Sequence, residues 1–132
     1  MKIKKLLFAS ALLFSAYNAS AQTQVIAHRG FWKTEGSAQN SIAALLKADS
    51  IGCYGSEFDV WLAADDQLVV NHDPTFKGKR MENSPSTALT AIKLDNGESL
   101  PTLAKYLKAA QPLHTRLILE LKAHSTPLRE TK

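Results

Sequence analysis

Glu57 and Asp59 stand two residues apart, as do Glu120 and Lys122, inside runs that are otherwise apolar: Phe58-Asp59-Val60-Trp61 and Leu117-Ile118-Leu119-Glu120-Leu121. Side chains alternate across a strand, so a spacing of two sends each pair to one face while Phe58, Val60, Leu119 and Leu121 face the other way. Carboxylates gathered in a poorly solvated place repel one another and raise each other's pKa. A hard divalent cation removes that cost, and Ca2+ or Mg2+ takes carboxylate oxygens readily, with Mn2+ also suited. Glu57, Asp59 and Glu120 are therefore candidate metal ligands, and no cluster of Cys and His with zinc spacing competes with them. His28 and His72 each close an apolar run, and two imidazoles beside a cation can act as general base and general acid. Arg29 offers a planar fork for a phosphate and Lys122 a point charge. The set points to cleavage of a phosphodiester, with a small anionic molecule as partner.

The elements that would position these groups alternate. Residues 24–30 read as a short strand ended by Gly30. Residues 40–52 read as a helix, capped by Asn40 or Ser41, with Ile42, Leu45, Leu46 and Asp49 at helical spacing and Gly52 as terminator. Residues 56–64 and 67–73 read as two strands across the Asp65-Asp66 turn, either a hairpin-like pair or one bent strand. The stretch 74–88 reads as loop and 87–97 as a short helix. Residues 99–110 read as a clearer helix, with Pro101 in its first turn and Leu103, Leu107 and Ala110 on one face. Residues 116–122 form a last strand, followed by a polar loop. Strands separated by helices of this length predict parallel pairing and an α/β domain. In such folds the chemistry gathers at the carboxyl ends of strands, whether the sheet is open or closed.

Composition narrows the setting. Residues 1–21 carry Lys2, Lys4 and Lys5, an apolar run from Leu6 to Phe14, and Ala19-Ser20-Ala21. That is the layout of an export signal, and the run is shorter than the roughly 20 residues of a membrane span. The expectation is a signal peptide over 1–21 and a periplasmic or secreted domain over 22–132, with no lipid anchor, because no cysteine follows the cleavage site. Without the leader, 13 basic side chains face 12 acidic ones, and no basic stretch with interleaved aromatics suggests nucleic acid. Cys53 is the single cysteine; between Ile51 and Tyr54 it reads as a buried structural thiol.

Five short motifs in order carry a resemblance: Val25-Ile26-Ala27-His28-Arg29-Gly30, Gln39-Asn40-Ser41, Glu57-Phe58-Asp59, Leu68-Val69-Val70-Asn71-His72-Asp73, and Leu119-Glu120-Leu121-Lys122. Together they resemble the glycerophosphodiester phosphodiesterase family over residues 25 to 122. The resemblance implies a TIM (β/α)8-barrel hydrolase that cleaves glycerophosphodiesters to an alcohol and glycerol 3-phosphate with a divalent metal. It implies that His28 and His72 are the catalytic pair, that Glu57, Asp59 and Glu120 hold the metal, and that Arg29 and Lys122 fall on substrate positions that bind the phosphate or stabilise charge. The family's Glu-Asn-Thr reads Gln39-Asn40-Ser41 here, which removes one carboxylate. A whole barrel takes roughly 250 residues, so the expectation is the amino-terminal part of the domain, about the first half of a barrel.

Taken one at a time, the same residues admit plainer readings. Glu57 and Asp59 fit the solvated face of an edge strand, Glu120 and Lys122 a surface ion pair, and His72 a structural histidine. Asp73 fits a cap on the turn at Pro74. Phe31 and Trp32 either line a mouth or pack its rim, and His114 and His124 read as loop residues without a role.

Overall fold

The computed structural model describes residues 22–125. The expected leader, 1–21, and the end of the chain, 126–132, lie outside the described residues. Among the described residues no helix is long and apolar enough to cross a membrane.

A long apolar strand organises the fold. Strand β1 is Ile26–Ala27, helix α1 Ile42–Ser50, and strand β2 Gly55–Leu62. Strand β3, Leu68–Val70, precedes a small hairpin of β4, Thr75–Phe76, and β5, Lys79–Arg80. Helix α2, Ser86–Thr90, helix α3, Leu103–Ala110, and strand β6, Arg116–Leu121, follow. β2 is the central strand: β1 and β6 lie parallel to it, with Ala27 opposite Ser56 and Glu120 opposite Asp59. β3 runs antiparallel, with Val70 opposite Val60. The two-strand reading of 56–73 is therefore a hairpin. Because Val60 pairs with both β3 and β6, those two strands occupy opposite edges of β2, and β3 shares its edge with β1.

Helices cover one side of this sheet. Phe58, Val60 and Val70 pack with Leu45 of α1 and Tyr106 of α3, and the Phe58 and Tyr106 rings stack with centroids 4.7 Å apart. Trp61, Ala63 and Val69 join Met81, Leu89, Leu94 and Leu100 in a second cluster. Gly30 turns the chain from β1 towards α1 at φ 74°; a Cβ there would stand 2.6 Å from that of Ala44, so only glycine permits this approach.

Several expected boundaries shift for local reasons. Ser41, not Asn40, caps α1, its Oγ accepting from Ala44 N at 3.0 Å. The expected short helix over 87–97 stops at Thr90, because Leu94 and Glu98 close a turn there and Lys93 bridges to Ser99. The 74–88 loop contains the β4–β5 hairpin, which the Lys77-Gly78 pair turns at positive φ. α3 starts after its Thr102 cap, leaving Pro101 ahead of the helix. Its buried face is Leu103, Tyr106 and Ala110, whereas Leu107 is exposed, as Leu46 is on α1. Cys53 is a buried free thiol, as expected. His124 is not a bare loop residue: it is buried, its Nε2 lies 2.9 Å from the carbonyl of Leu62, and its ring meets Trp61 edge-on.

Buried Glu82 ties the segment after β6 to the turn after β5. Its carboxylate accepts from Ser125 Oγ at 2.6 Å, Ser125 N at 2.9 Å and Arg80 Nε at 2.7 Å. The Ser125 hydroxyl bond outweighs burial and, with the Ser125 amide and Arg80, holds the Glu82 pKa down at about 2 against an ordinary 4.5. A pKa depressed in the folded state stabilises the fold above the ordinary value and loses that contribution as pH falls through the folded one. Thermal melts should thus lose stability from pH 4.5 down to about 2, and Glu82→Gln should fall less steeply than the wild type over that window.

Candidate active site

The register of the sheet brings the candidate residues to one place. On one edge of β2, β1 stops opposite Ser56 and β3 stops opposite Val60. The gap between those strand ends faces residues 57 to 59. His28 and Arg29 enter it from β1, while Asn71 N donates to Asp59 O at 3.0 Å and brings His72 in from β3. On the other edge, β6 sets Glu120 directly opposite Asp59. Glu57, Asp59 and Glu120 each offer an oxygen, and these oxygens all lie within 4.8 Å of one another. The solvated edge-strand reading of Glu57 and Asp59 fails, because β2 is paired on both sides and Asp59 is 0% exposed. Glu120 and Lys122 do form an ion pair on the outer strand, but Lys122 also reaches buried Asp59.

Basic side chains meet these acids from the ends of both parallel neighbours, β6 and β1. Lys122 Nζ lies 2.7 Å from Asp59 Oδ1 and 2.6 Å from Glu120 Oε1. Burial alone would lower the Lys122 pKa, but its bonds to Asp59 and Glu120 outweigh burial and raise it. Arg29 Nε lies 4.0 Å from Asp59 Oδ2. Arg29 itself sits at φ 60°, which turns its backbone N–H onto Glu57 Oε2 at 2.8 Å. His28 Nε2 is 3.8 Å from the same oxygen, on a side chain 66% exposed. Desolvation raises the Glu57 pKa, opposed by the Arg29 N–H and reinforced by the charge of Asp59. Glu57 Oε1 is buried with no hydrogen-bond partner among the described residues. An orphaned carboxylate oxygen beside two further acids is what a hard cation's donor set looks like, so the residues fit such an ion.

His72 is held by two partners. Its Nδ1 lies 2.7 Å from Asp73 Oδ1 and its Nε2 2.8 Å from Arg29 Nη2. A guanidinium can only donate, so Nε2 is the acceptor and the ring proton sits on Nδ1, directed at Asp73. Asp73 therefore orients His72 and does not cap the turn through its side chain. Arg29 Nη1 also donates to Gln39 Oε1 at 2.5 Å. The amide that stands where the resembled family has a carboxylate thus engages Arg29 without cancelling its charge.

Two groups were hidden from sequence reasoning. Asn40 is buried at φ 58°, donating from Nδ2 to Asp59 Oδ2 at 2.8 Å and accepting from Asp59 N at 3.2 Å. Its place in the Gln39-Asn40-Ser41 motif was a signal, but a cap was the simpler reading of an asparagine before a helix. Asp73 beside His72 was the other. A cleft of about 220 Å³ opens next to His72, with Trp32, Gln39, Asn71, Phe76 and Asp95 along its walls. Trp32 thus lines the mouth, while Phe31 is exposed. His114 lies in an exposed loop, where its backbone N–H donates to Asp49 at 2.7 Å.

No protein-family model matches the chain. A curated glycerophosphodiester phosphodiesterase of Caldanaerobacter subterraneus subsp. tengcongensis is 48% identical over 54 residues, which are 41% of this chain and 21% of that protein. A glycerophosphodiester phosphodiesterase of known structure from Parabacteroides distasonis superposes with a TM-score of 0.78 at 58% identity, over 80% of this chain and 45% of that one. An Oleispira antarctica phosphodiesterase, solved in complex with the product sn-glycerol-3-phosphate, gives 0.64 at 31% identity, over 76% and 44%. The chain spans less than half the length of each of these relatives. The parallel arc β1-β2-β6 with its helices is accordingly a part of the barrel fold that the solved relatives carry.

The hydrogen-bond pattern at His72 can be read directly. Nitrogen-15 NMR of histidine-labelled protein should find the neutral His72 ring protonated on Nδ1, and Asp73→Ala should shift it towards a mixture of both tautomers.

Proposed function

Since the chain belongs to the glycerophosphodiester phosphodiesterase family over the span it shares with these relatives, we propose that it supplies the catalytic acids, bases and cation ligands for hydrolysis of a glycerophosphodiester to an alcohol and glycerol 3-phosphate. The observation that carries this reading is the convergence of Glu57, Asp59 and Glu120 between two histidines and two fixed cations.

In this reading Glu57, Asp59 and Glu120 hold a divalent cation, Ca2+ or Mg2+ and with Mn2+ also suited. When bound, such an ion neutralises charge on phosphoryl oxygens. The protein's own groups do the rest. Arg29, whose charge Gln39 leaves uncompensated, and Lys122 at the opposite edge present donors to the phosphate, which binds in the gap between β1 and β3. His72, with its proton fixed on Nδ1 by Asp73, offers Nε2 as a proton acceptor once a phosphate draws Arg29 away. Exposed His28, with its Nε2 3.8 Å from Glu57 Oε2, exchanges the second proton at the alcohol oxygen. General acid–base groups of this kind contribute about 10²–10⁴-fold each. Asp73, by fixing one tautomer, lets the pair begin in the correct state. The cleft beside His72 is where the alcohol portion would lie.

The reading is tested with glycerophosphocholine and Ca2+ or Mg2+, following glycerol 3-phosphate through its dehydrogenase. The chain is assayed alone and also continued with the carboxyl-terminal portion of the Parabacteroides distasonis relative. Expected are release that EDTA abolishes, a loss of at least about 100-fold in His28→Ala and in His72→Ala, and a fall of about tenfold or more in calcium affinity by calorimetry in Glu57→Gln. Turnover that survives both EDTA and His28→Ala would overturn the mechanism, and absence of turnover from both chains would overturn the activity.

We further infer that residues 1–21 direct export to a periplasm or beyond. The charged start, short apolar run and Ala19-Ser20-Ala21 support this. Mass spectrometry of the protein recovered from an expressing bacterium should find an amino terminus at Gln22; a mature protein that retains Met1 would contradict it.

A further inference from the structure

Glu98 lies outside every motif considered above, yet both of its carboxylate oxygens are engaged far away in sequence. Oε2 accepts from Ile42 N at 2.9 Å and Oε1 from Ala43 N at 3.1 Å. These are the first two residues of α1, whose leading N–H groups have no partner within the helix. Ser41 Oγ covers the next, Ala44 N. A carboxylate there also meets the positive end of the helix dipole. Glu98 is itself fixed: its N–H donates to Asn96 Oδ1 at 3.2 Å, its carbonyl accepts from Leu94 N at 2.8 Å, and Asn96 Nδ2 donates to Gly36 O at 3.3 Å. The 94–98 turn is thereby fastened to the segment leading into α1.

That segment contains Asn40. A non-glycine residue at φ 58° is uncommon and persists where its surroundings dictate it. Here Asn40 N donates to Arg29 O at 3.0 Å, Ser41 N to Ala38 O at 3.1 Å, and the helix that follows immediately is anchored by Glu98. With the backbone so held, the Asn40 amide reaches Asp59 at two points, the Asp59 carboxylate and the Asp59 backbone N–H. We propose that Glu98 is a positioning residue of the acidic centre, acting through the amino end of α1 and Asn40 to hold Asp59 in the orientation that a bound divalent cation requires.

The part that concerns a cation rests on the functional reading above; the clamp on Asn40 does not. The test therefore has two readouts on the full chain, with Glu98→Ala, Glu98→Gln, Asn40→Ala, the double variant Asn40→Ala/Glu98→Ala, and Asp65→Ala. Asp65 makes the same kind of bond at α2, accepting from Ser86 N at 3.0 Å, and shares no hydrogen bond with Asn40 or Asp59 among the described residues. Without added metal, NMR hydrogen exchange of the Asn40 side-chain amide should quicken at least tenfold in Glu98→Ala, less in Glu98→Gln, and not in Asp65→Ala even where its melting temperature falls as far. With Ca2+, calorimetry should show affinity weakened about tenfold in Glu98→Ala and no further than Asn40→Ala in the double variant, since residues acting in series do not add. Equal quickening in Asp65→Ala, or losses that add in the double variant, would overturn the proposal. Should the wild type bind no Ca2+, the cation reading falls, and with it this residue's role towards an ion. The Asn40 amide then still decides whether the clamp exists. Glu98→Gln keeps the side chain's shape and serves if Glu98→Ala does not fold.

Discussion

The carboxylate of Asp59 is fully buried in the middle of the sheet, and most of the site can be understood as what that burial demands. An ionised carboxylate removed from water costs several kcal/mol unless it is paired and hydrogen-bonded. Asp59 meets this with Lys122 on one oxygen and Asn40 on the other, with Arg29 close behind. Each partner comes from a different element: the end of β6, the entry to α1 and the end of β1. One charge thus locks three connections together. Removing Lys122 would take away the cation nearest to that charge in a place that water does not reach.

Glu57 faces the same problem without the same solution. Its Oε2 accepts the Arg29 N–H, but Oε1 is buried and unengaged among the described residues, and desolvation raises its pKa. Glu120, on the edge strand with a side chain 55% exposed, keeps its solvation on one side. The three acids therefore differ in environment although they share a face. The asymmetry follows from strand order: β2 lies between two neighbours, whereas β6 has a partner on one edge only among the described residues.

The length of β2 matters as much as its composition. At eight residues it runs past the ends of both parallel neighbours, and its extension folds back as β3. That return carries His72 to the level of Asp59, opposite the end of β1, so two histidines separated by 44 positions in the chain enter one gap. A parallel strand in place of β3 would have carried the Asn71-His72-Asp73 run away from the acids. The antiparallel excursion in a parallel arc is thus a requirement of the chemistry, and Trp61 Nε1, donating to His72 O at 3.3 Å, fastens its far end.

The acids' shared face was determined by the sequence alone, because strand alternation is a local property: Glu57 with Asp59 and Glu120 with Lys122 could point nowhere but together. The alternation of strands and helices, the buried thiol and the turn at Asp65-Asp66 were legible for the same reason. What only the tertiary structure decided is which strands are neighbours and where each stops. Nothing local says that Glu120 lies opposite Asp59, that Asn40 reaches across 19 positions to the same carboxylate, or that Glu98 caps a helix 55 and 56 residues earlier. Leu46 and Leu107 fit the helical period yet remain exposed, since periodicity defines a stripe but not which part of it a neighbouring element covers. By sequence Asp73 and Asn40 fit turn and cap positions, because short polar side chains satisfy nearby backbone at little cost. Only a folded sheet offers them a half-buried imidazole and a buried acid, and the acid's unmet hydrogen bonds would cost more.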